Sequence, residues 1–143
     1  LKMRMSRTEL KEEYKQSEGD PQIKQKIRQI RSERARRRMM ANVPKADVVI
    51  TNPDHYAIAL EYKPPEMSAP VVVAMGVDLI AQKIKEVARE NDIPIVENPP
   101  LARALYATAD IEREIPHEHY RAVAEIISYV YKLKKQTGGR KPS

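Results

Sequence analysis

The 143-residue chain contains no cysteine, so it forms neither a disulfide framework nor a thiolate metal site, and a reducing compartment is compatible with it. It has no apolar run close to the roughly 18 residues that a membrane-spanning helix requires, and no secretory h-region. It also has no glycine-rich phosphate loop and no nucleophile elbow. His117 and His119 are two positions apart at a predicted helix start, a spacing that favours a surface pair over a metal site. The sequence therefore predicts no metal, no cofactor and no turnover enzyme.

The chain carries a net charge of +6 that is unevenly spread. Residues 1–45 hold 14 basic and 6 acidic residues, a balance of +8, whereas residues 46–143 hold 12 and 14, a balance of −2. This asymmetry predicts a basic linker over residues 1–45 joined to a nearly neutral globular domain over residues 46–143. Because the chain starts at Leu1 rather than at methionine, we also expect it to be a fragment of a longer protein.

The linker has the pattern of two helices separated by a hinge. Ser6 and Glu9 fit a capping box at the start of the first helix. Gly19 is conformationally permissive, and Asp20 is biased away from the helical region by Pro21. Asp20 followed by Pro21 is a suitable cap and first residue for a second helix. Gly19, Asp20 and Pro21 are therefore predicted to form the hinge.

The second helix of the linker carries few apolar residues and runs into a basic segment. Its apolar stripe consists of Ile23, Ile27 and Ile30, and its basic segment of Arg34, Arg36, Arg37 and Arg38. Three isoleucines cannot bury a helix of this length, so the linker is either a solvated helix or a segment that awaits a binding surface. An anionic membrane surface attracts such a basic segment. Nucleic acid is less favoured, because Tyr14 is the only aromatic residue of the linker that could stack on bases.

Residues 46–143 alternate strand and helix patterns, which indicates an α/β fold. We predict strands at residues 47–51, 56–60, 70–75 and 93–96, and further helices that begin at Asp78, Asn98 and Ile115. The third strand is apolar throughout, as is typical of a strand buried on both faces, and Gly76 is expected to break it. Pro94 places the fourth strand at an edge or a strand end.

The order of these elements predicts the topology. The first two strands form an antiparallel hairpin, and residues 70–96 form a right-handed crossover unit with two parallel strands. Asp78 is expected to cap the crossover helix, whose predicted buried face consists of Leu79, Ile80, Ile84, Val87 and Ala88. The predicted fold is thus a small mixed four-stranded sheet surrounded by helices, with a long basic N-terminal helical linker.

Residues 52–55, Asn-Pro-Asp-His, connect the first two predicted strands and are called the Asn-Pro turn below. Asn at the first corner and Pro at the second suit a type I turn. Pro53 has no N–H, so its nitrogen cannot attack the Asn52 side chain, which is the usual route of asparagine degradation. The remaining route is attack of the Asn52 side-chain nitrogen on its own main-chain carbonyl, which closes a succinimide and releases Pro53 as a new N-terminus.

That reaction has three requirements: a side chain held against its own carbonyl, support for the carbonyl oxygen, and a proton for the leaving nitrogen. A turn between two paired strands would supply the first, and His55 would supply the proton transfer. The alternative is an inert turn in a basic-armed module that binds nucleic acid or a membrane surface. Such a module predicts steeply salt-dependent binding that is lost when residues 1–45 are removed.

Several motifs together resemble one family, the cytoplasmic domain of the FlhB/YscU proteins, which are export-gate switch components of flagellar and type III secretion systems. The resemblance covers nearly the whole chain and is closer to the flagellar branch than to the virulence branch. The matching stretches are residues 18–21 (Glu-Gly-Asp-Pro), 52–56 (Asn-Pro-Asp-His-Tyr), 59–60 with Tyr62, 67–70 (Met-Ser-Ala-Pro), 72–74, 99–106 and 115–116.

The resemblance implies a function and a location. Members of the family have an N-terminal multi-span membrane domain, so the chain would lie at the cytoplasmic face of the bacterial inner membrane. They cleave themselves once between the Asn and Pro of an Asn-Pro-Thr-His motif, here Asn52 and Pro53, and the pieces stay associated while the machine switches from early to late substrates. The implied partners are other export-gate subunits and exported flagellar proteins, and no nucleic acid is expected. The isolated domain is expected to be monomeric.

The resemblance also assigns residues. The cleavage site would comprise Asn52, Pro53, Asp54 and His55. Asp54 departs from the threonine of the family motif; it keeps an oxygen able to bond the turn but places a negative charge beside His55. Export substrates would dock on an apolar surface patch whose matching positions are Ala69, Pro70, Ala124 and Ile127. Arg34, Arg36, Arg37 and Arg38 would contact other gate subunits or lipid headgroups.

Overall fold

The computed structural model describes residues 19–53 and 55–136. Ser6, Glu9 and Asp54 lie outside the described residues. The chain divides into two compact units, one up to Arg38 and one from Met39 onward. This division falls seven residues before the linker boundary that the charge distribution suggests, because Met39 and Val43 are 8% and 0% exposed and pack in the core of the second unit.

The linker helix that lies within the described residues, α1 (Pro21–Asn42), begins as the sequence predicts. The carboxylate of Asp20 accepts a hydrogen bond from the N–H of Gln22 at 2.8 Å, and its carbonyl accepts one from the N–H of Lys24 at 2.9 Å. Asp20 therefore caps the helix and Pro21 takes the first position, where its missing N–H costs nothing. Between residues 19 and 38 no described residue is buried, so the apolar stripe of this helix has no core of its own.

The second unit contains the predicted mixed sheet, with strand order β3-β2-β1-β4. Its strands are β1 (Val48–Asn52), β2 (Tyr56–Glu61), β3 (Val71–Val77) and β4 (Ile95–Glu97). β1 pairs antiparallel with β2 and parallel with β4, while β2 pairs antiparallel with β3. The predicted hairpin, the α/β fold class and the edge position of the fourth strand are confirmed.

Helices cover both faces of the sheet because successive strand side chains point to opposite faces. The helices of this unit are α2 (Asp78–Glu90), α3 (Pro99–Thr108) and α4 (Tyr120–Gln136), with 3-10 turns at Val43–Lys45 and His117–His119. Val48 and Ile50 pack with α3 and α4, whereas Val49, between them, packs with α2. All three valine and isoleucine side chains are fully buried.

The crossover unit differs from its prediction in pairing. β3 and β4 run parallel to each other but lie at opposite edges of the sheet, and β4 pairs with β1. β3 is therefore an edge strand that is still largely buried. Residues 112–115 cover its start: the N–H of Val72 donates to the carbonyl of Arg113 at 3.0 Å, and the N–H of Glu112 donates to the carbonyl of Val72 at 2.7 Å.

Three expectations at the start of α2 are wrong. Gly76 does not break β3, which continues to Val77; a Cβ at Gly76 would collide with the side chain of Ile80. Asp78 is not the cap but the first residue of α2, and Val77 at the cap position makes no side-chain hydrogen bond. Leu79 is not on the buried face, since 79% of it is exposed. The helix is instead buried through Ala81, Ile84 and Ala88.

Candidate functional site

The Asn-Pro turn closes the hairpin between β1 and β2. Asn52 is the last residue of β1 and Tyr56 the first of β2, and the two face each other across the ladder. The strand end below the turn is fixed from two sides: Thr51 is 3% exposed, and its carbonyl accepts a hydrogen bond from the N–H of Asn98 at 2.9 Å. The turn thus projects from an ordered end of the two central strands.

The carbonyl of Asn52 accepts a hydrogen bond from the backbone N–H of His55 at 2.8 Å. This bond spans three residues, as expected for a β-turn with Pro53 at its second position. A donor already aimed at a carbonyl oxygen stabilises the negative charge that develops on that oxygen during nucleophilic attack. The turn therefore supplies, through its own backbone, the oxygen support that cyclisation of Asn52 requires.

Helix α2 holds the other side of the turn. The N–H of Asp78 donates to the carbonyl of His55 at 3.0 Å, and the ammonium of Lys85 donates to the carbonyl of Pro53 at 2.5 Å. Asp78 has a φ of 48°, a left-handed conformation that is uncommon outside glycine and that Asp tolerates better than most residues. The carbonyls of Asn52, Pro53 and His55 are therefore all hydrogen-bonded.

The imidazole of His55 is exposed and lies beside a carboxylate. Its Nδ1 is 3.8 Å from an oxygen of Asp78, and the two side chains are 68% and 73% exposed. An ion pair this exposed contributes little to stability. Exposure instead lets the imidazole exchange protons with water, as a proton-transfer group must.

Sequence reasoning missed both α2 residues at the turn. Lys85 follows Pro53 by 32 positions, and Asp78 was assigned to a helix cap. Neither residue has a local motif that points to the turn; the contacts depend on how α2 packs on the sheet. An aromatic contact was missed in the same way: the ring of Tyr106, from α3, lies 4.9 Å from the ring of Tyr56.

Three of the four predicted docking positions offer no exposed surface. Ala69 and Ile127 are 1% and 2% exposed, and Pro70 is also buried. Ile127 packs in the core between α4 and the sheet. Ala124 is partly exposed and lies in a surface groove along α4 with Arg121, Ser128 and Tyr129. Substrate docking at these positions stays a prediction, and Ala124 is the position with accessible surface.

The arginines of α1 and the two neighbouring histidines are the remaining predicted positions. Arg34, Arg36, Arg37 and Arg38 are all exposed on α1, and their binding of lipid or protein stays a prediction, as does motion about Gly19. His117 is exposed, but the side chain of His119 is only 16% exposed, so the two do not form a surface pair. In the described part of the chain, three or more potential metal ligands nowhere come together, and none of the helices is long and apolar enough to cross a bilayer.

A partly buried carboxylate lies at the opposite end of β1. Asp47, whose side chain is 9% exposed, accepts hydrogen bonds from the N–H of Tyr62 at 2.7 Å, the ammonium of Lys63 at 3.0 Å and the hydroxyl of Tyr131 at 2.7 Å. Partial burial, followed by this hydrogen bond and the charge of Asp47, raises the pKa of Tyr131 to about 12. The contact joins α4 to the start of the hairpin.

The fold and the turn together define a class: small α/β domains in which an Asn-Pro turn closes a hairpin on a mixed four-stranded sheet. Comparison with known proteins identifies the family. The sequence model of the FlhB HrpN YscU SpaS family matches residues 1–130, and the chain belongs to that family. The predicted resemblance is thereby confirmed.

Curated relatives are similar over nearly all of this chain. It is 53% identical over 143 residues to the flagellar biosynthetic protein FlhB of Escherichia coli (strain K12), covering 99% of this chain and 37% of the relative. It is 57% identical over 135 residues to the FlhB of Aquifex aeolicus (strain VF5), covering 94% and 39%. The chain therefore spans less than two fifths of the length of these relatives.

Solved structures of related domains have the same fold. The cytoplasmic domain of FlhB from Shewanella putrefaciens is 49% identical, with a TM-score of 0.69 over 76% of this chain and 84% of that one. A mutated EscU C-terminal domain is 35% identical, with a TM-score of 0.62 over 64% of this chain and 92% of that one. The α/β fold described above is thus the fold of this family's cytoplasmic domains.

Proposed function

We propose that this chain is the cytoplasmic domain of a flagellar type III export component, that it controls export-substrate specificity, and that it cuts itself once between Asn52 and Pro53. The supporting observation is the bond from the N–H of His55 to the carbonyl of Asn52. It places an oxygen-stabilising donor on the one carbonyl that an Asn-Pro sequence can attack by cyclisation. The relatives, which are flagellar biosynthetic proteins, favour the export role.

The cleavage proceeds by one cyclisation. The Asn52 side-chain nitrogen forms a bond to the Asn52 main-chain carbon, and the bond from that carbon to the Pro53 nitrogen breaks. The electron pair of the broken bond stays on the proline nitrogen, which gains a proton, while the attacking nitrogen loses one. His55 and water carry these protons. The products are a fragment ending in a succinimide and a fragment that begins with Pro53, so the reaction is a single turnover.

The two fragments would stay together, because the core spans the cut. Ile50 of the first fragment faces Ile58 of the second across the hairpin, and both are fully buried, as is Leu60. Each such side chain contributes about 1.5–3 kcal/mol through burial. Opening a short turn removes only a loop-closure term of modest size. Cleavage would thus change the surface at the turn while the sheet persists.

The exposed surfaces of α1 and of the globular domain would bind the partners of the export component. The exposed arginines of α1 would contact anionic lipid headgroups or other export-gate subunits at the cytoplasmic face of the inner membrane. The greater length of the relatives would hold the membrane-spanning domain. Exported flagellar proteins would dock on the globular domain, with Ala124 in the accessible groove along α4.

Denaturing gel electrophoresis and intact mass of the purified chain test the cleavage. We expect fragments of 52 and 91 residues that co-elute under native conditions. Asn52→Ala is expected to leave one intact chain, because alanine offers no attacking nitrogen. The matched control is Asn98→Ala, since Asn98 is also followed by proline but caps α3 rather than closing a hairpin turn. A single full-length mass for the unmodified chain after long incubation would contradict the proposal.

A further inference from the structure

Lys85 is the side chain through which α2 reaches the Asn-Pro turn. Its ammonium donates to the carbonyl of Pro53, and the side chain is partly buried between helix and turn. Lys83, two positions earlier on the same helix, is exposed. A lysine that gives up full hydration to bind one backbone carbonyl restrains that carbonyl strongly, because a charged donor forms a stronger hydrogen bond than a neutral one.

We propose that Lys85 is a positioning residue for the cleavage, which holds the leaving half of the Asn52–Pro53 bond. This inference rests on the proposed self-cleavage. The ring of Pro53 fixes its φ, and the bond from Lys85 to its carbonyl fixes its ψ. The proline ring, which carries the leaving nitrogen, is thereby held in one orientation relative to α2.

The two halves of the scissile peptide are restrained by different parts of the protein. The backbone N–H of His55 holds the carbonyl of Asn52 on the acyl side, and Lys85 holds the carbonyl of Pro53 on the leaving side. Restraint on both sides keeps the attacked carbon in a fixed position while the Asn52 side chain closes on it. Holding reacting groups in a near-attack geometry lowers the entropic part of the barrier.

The charge of Lys85, like its position, favours departure of the Pro53 nitrogen. A cation bonded to the carbonyl of Pro53 withdraws electron density from that residue and so makes its nitrogen less basic. A less basic nitrogen leaves a tetrahedral intermediate more readily. Lys85 loses no proton in this scheme; the proton balance remains that of the cyclisation, with the proton lost by the Asn52 side chain replaced on the nitrogen of Pro53.

Time courses of cleavage in matched variants test the proposal. Lys85→Met keeps the length of the side chain and removes the charged donor, and we expect cleavage at least about tenfold slower. Lys83→Met on the same helix is the control and should cleave at the unmodified rate. Lys85→Arg restores a cationic donor and should recover most of the rate, which a merely space-filling role of Lys85 would not require. Equal rates for Lys85→Met and Lys83→Met would overturn the proposal.

A second measurement examines the restraint without cleavage. In the Asn52→Ala chain, hydrogen exchange at the amide of His55 reports how often the turn opens. Lys85→Met in that background should speed this exchange about tenfold, and Lys83→Met should leave it unchanged. An unmodified chain that never cleaves would refute the proposed self-cleavage but not the contact between Lys85 and the turn, because the exchange measurement still decides whether Lys85 holds the turn. Unchanged exchange at His55 in the Lys85→Met chain would overturn the inference itself.

Discussion

The two ends of strand β1 are built in opposite ways. At its start, the partly buried carboxylate of Asp47 accepts hydrogen bonds from the loop after β2 and from α4. At its end, the described residues of the Asn-Pro turn accept hydrogen bonds at the backbone carbonyls of Asn52, Pro53 and His55, and the side chain of His55 is 68% exposed. The first end is fixed by hydrogen bonds to one side chain, whereas the second is held by hydrogen bonds to its backbone carbonyls and carries the bond that is proposed to break.

In the proposed mechanism, this difference separates stability from reactivity along a single strand. A network of satisfied hydrogen bonds to a partly buried carboxylate is costly to disturb. A turn at the protein surface, by contrast, can be opened with little loss of packing. In the proposed cleavage, one end of the hairpin is severed while the other end, together with the fully buried Ile50, keeps the two pieces in register.

The largest expected effect falls on the exposed end. His55→Ala removes the imidazole but keeps the backbone N–H that supports the carbonyl of Asn52, so cleavage should slow rather than stop. General acid–base catalysis by one side chain is worth at least about 10²-fold, and we expect slowing of that order in a gel time course. His117→Ala, which alters another exposed histidine, is the control. A rate for His55→Ala equal to that of the unmodified chain would assign the proton transfer to water alone.

The hairpin and its turn were predictable from sequence, whereas the residues that hold the turn were not. Alternating β-branched residues and an Asn-Pro pair are local signals, and they placed the hairpin correctly. The positions of Lys85, Asp78 and Tyr131 depend on how helices pack on the sheet, which no local pattern encodes. Gly76 illustrates the limit: its need for glycine arises from the approach of Ile80, not from a strand break.

An intermediate effect, on the free energy of unfolding, is expected at the Asp47 end of β1. Asp47→Ala leaves the N–H of Tyr62 and the hydroxyl of Tyr131 without their acceptor, so the free energy of unfolding should fall by about 1–3 kcal/mol. Chemical denaturation of the Asn52→Ala chain with and without this change measures the difference. Asp110→Ala, at an exposed position, should change stability by less than about 0.5 kcal/mol.

The same variant sharpens the comparison between the two ends. Under native conditions Asp47→Ala should cleave at nearly the unmodified rate, because the contacts of Asp47 lie at the far end of β1 from the turn. A large loss of cleavage in a chain that remains folded would show that the two ends are coupled, and the separation of stability from reactivity would be wrong.

The smallest expected effect concerns Tyr131 and appears only at high pH. The pKa of its hydroxyl is raised from 10.0 to about 12 in the folded protein, so the protonated form is favoured by folding. The resulting stabilisation is fully present below pH 10 and is lost as the pH rises from 10 through 12. Tyr131→Phe should therefore lower stability by about 1 kcal/mol or less near neutral pH, and this difference should shrink between pH 10 and 12. Thermal unfolding of both chains across that range measures the shrinkage, and using their difference cancels the titration of other groups.

A difference in stability that stays constant through pH 12 would mean that the bond to Asp47 does not hold the proton of Tyr131. The end of β1 at Asp47 would then be secured by Lys63 and the N–H of Tyr62 alone.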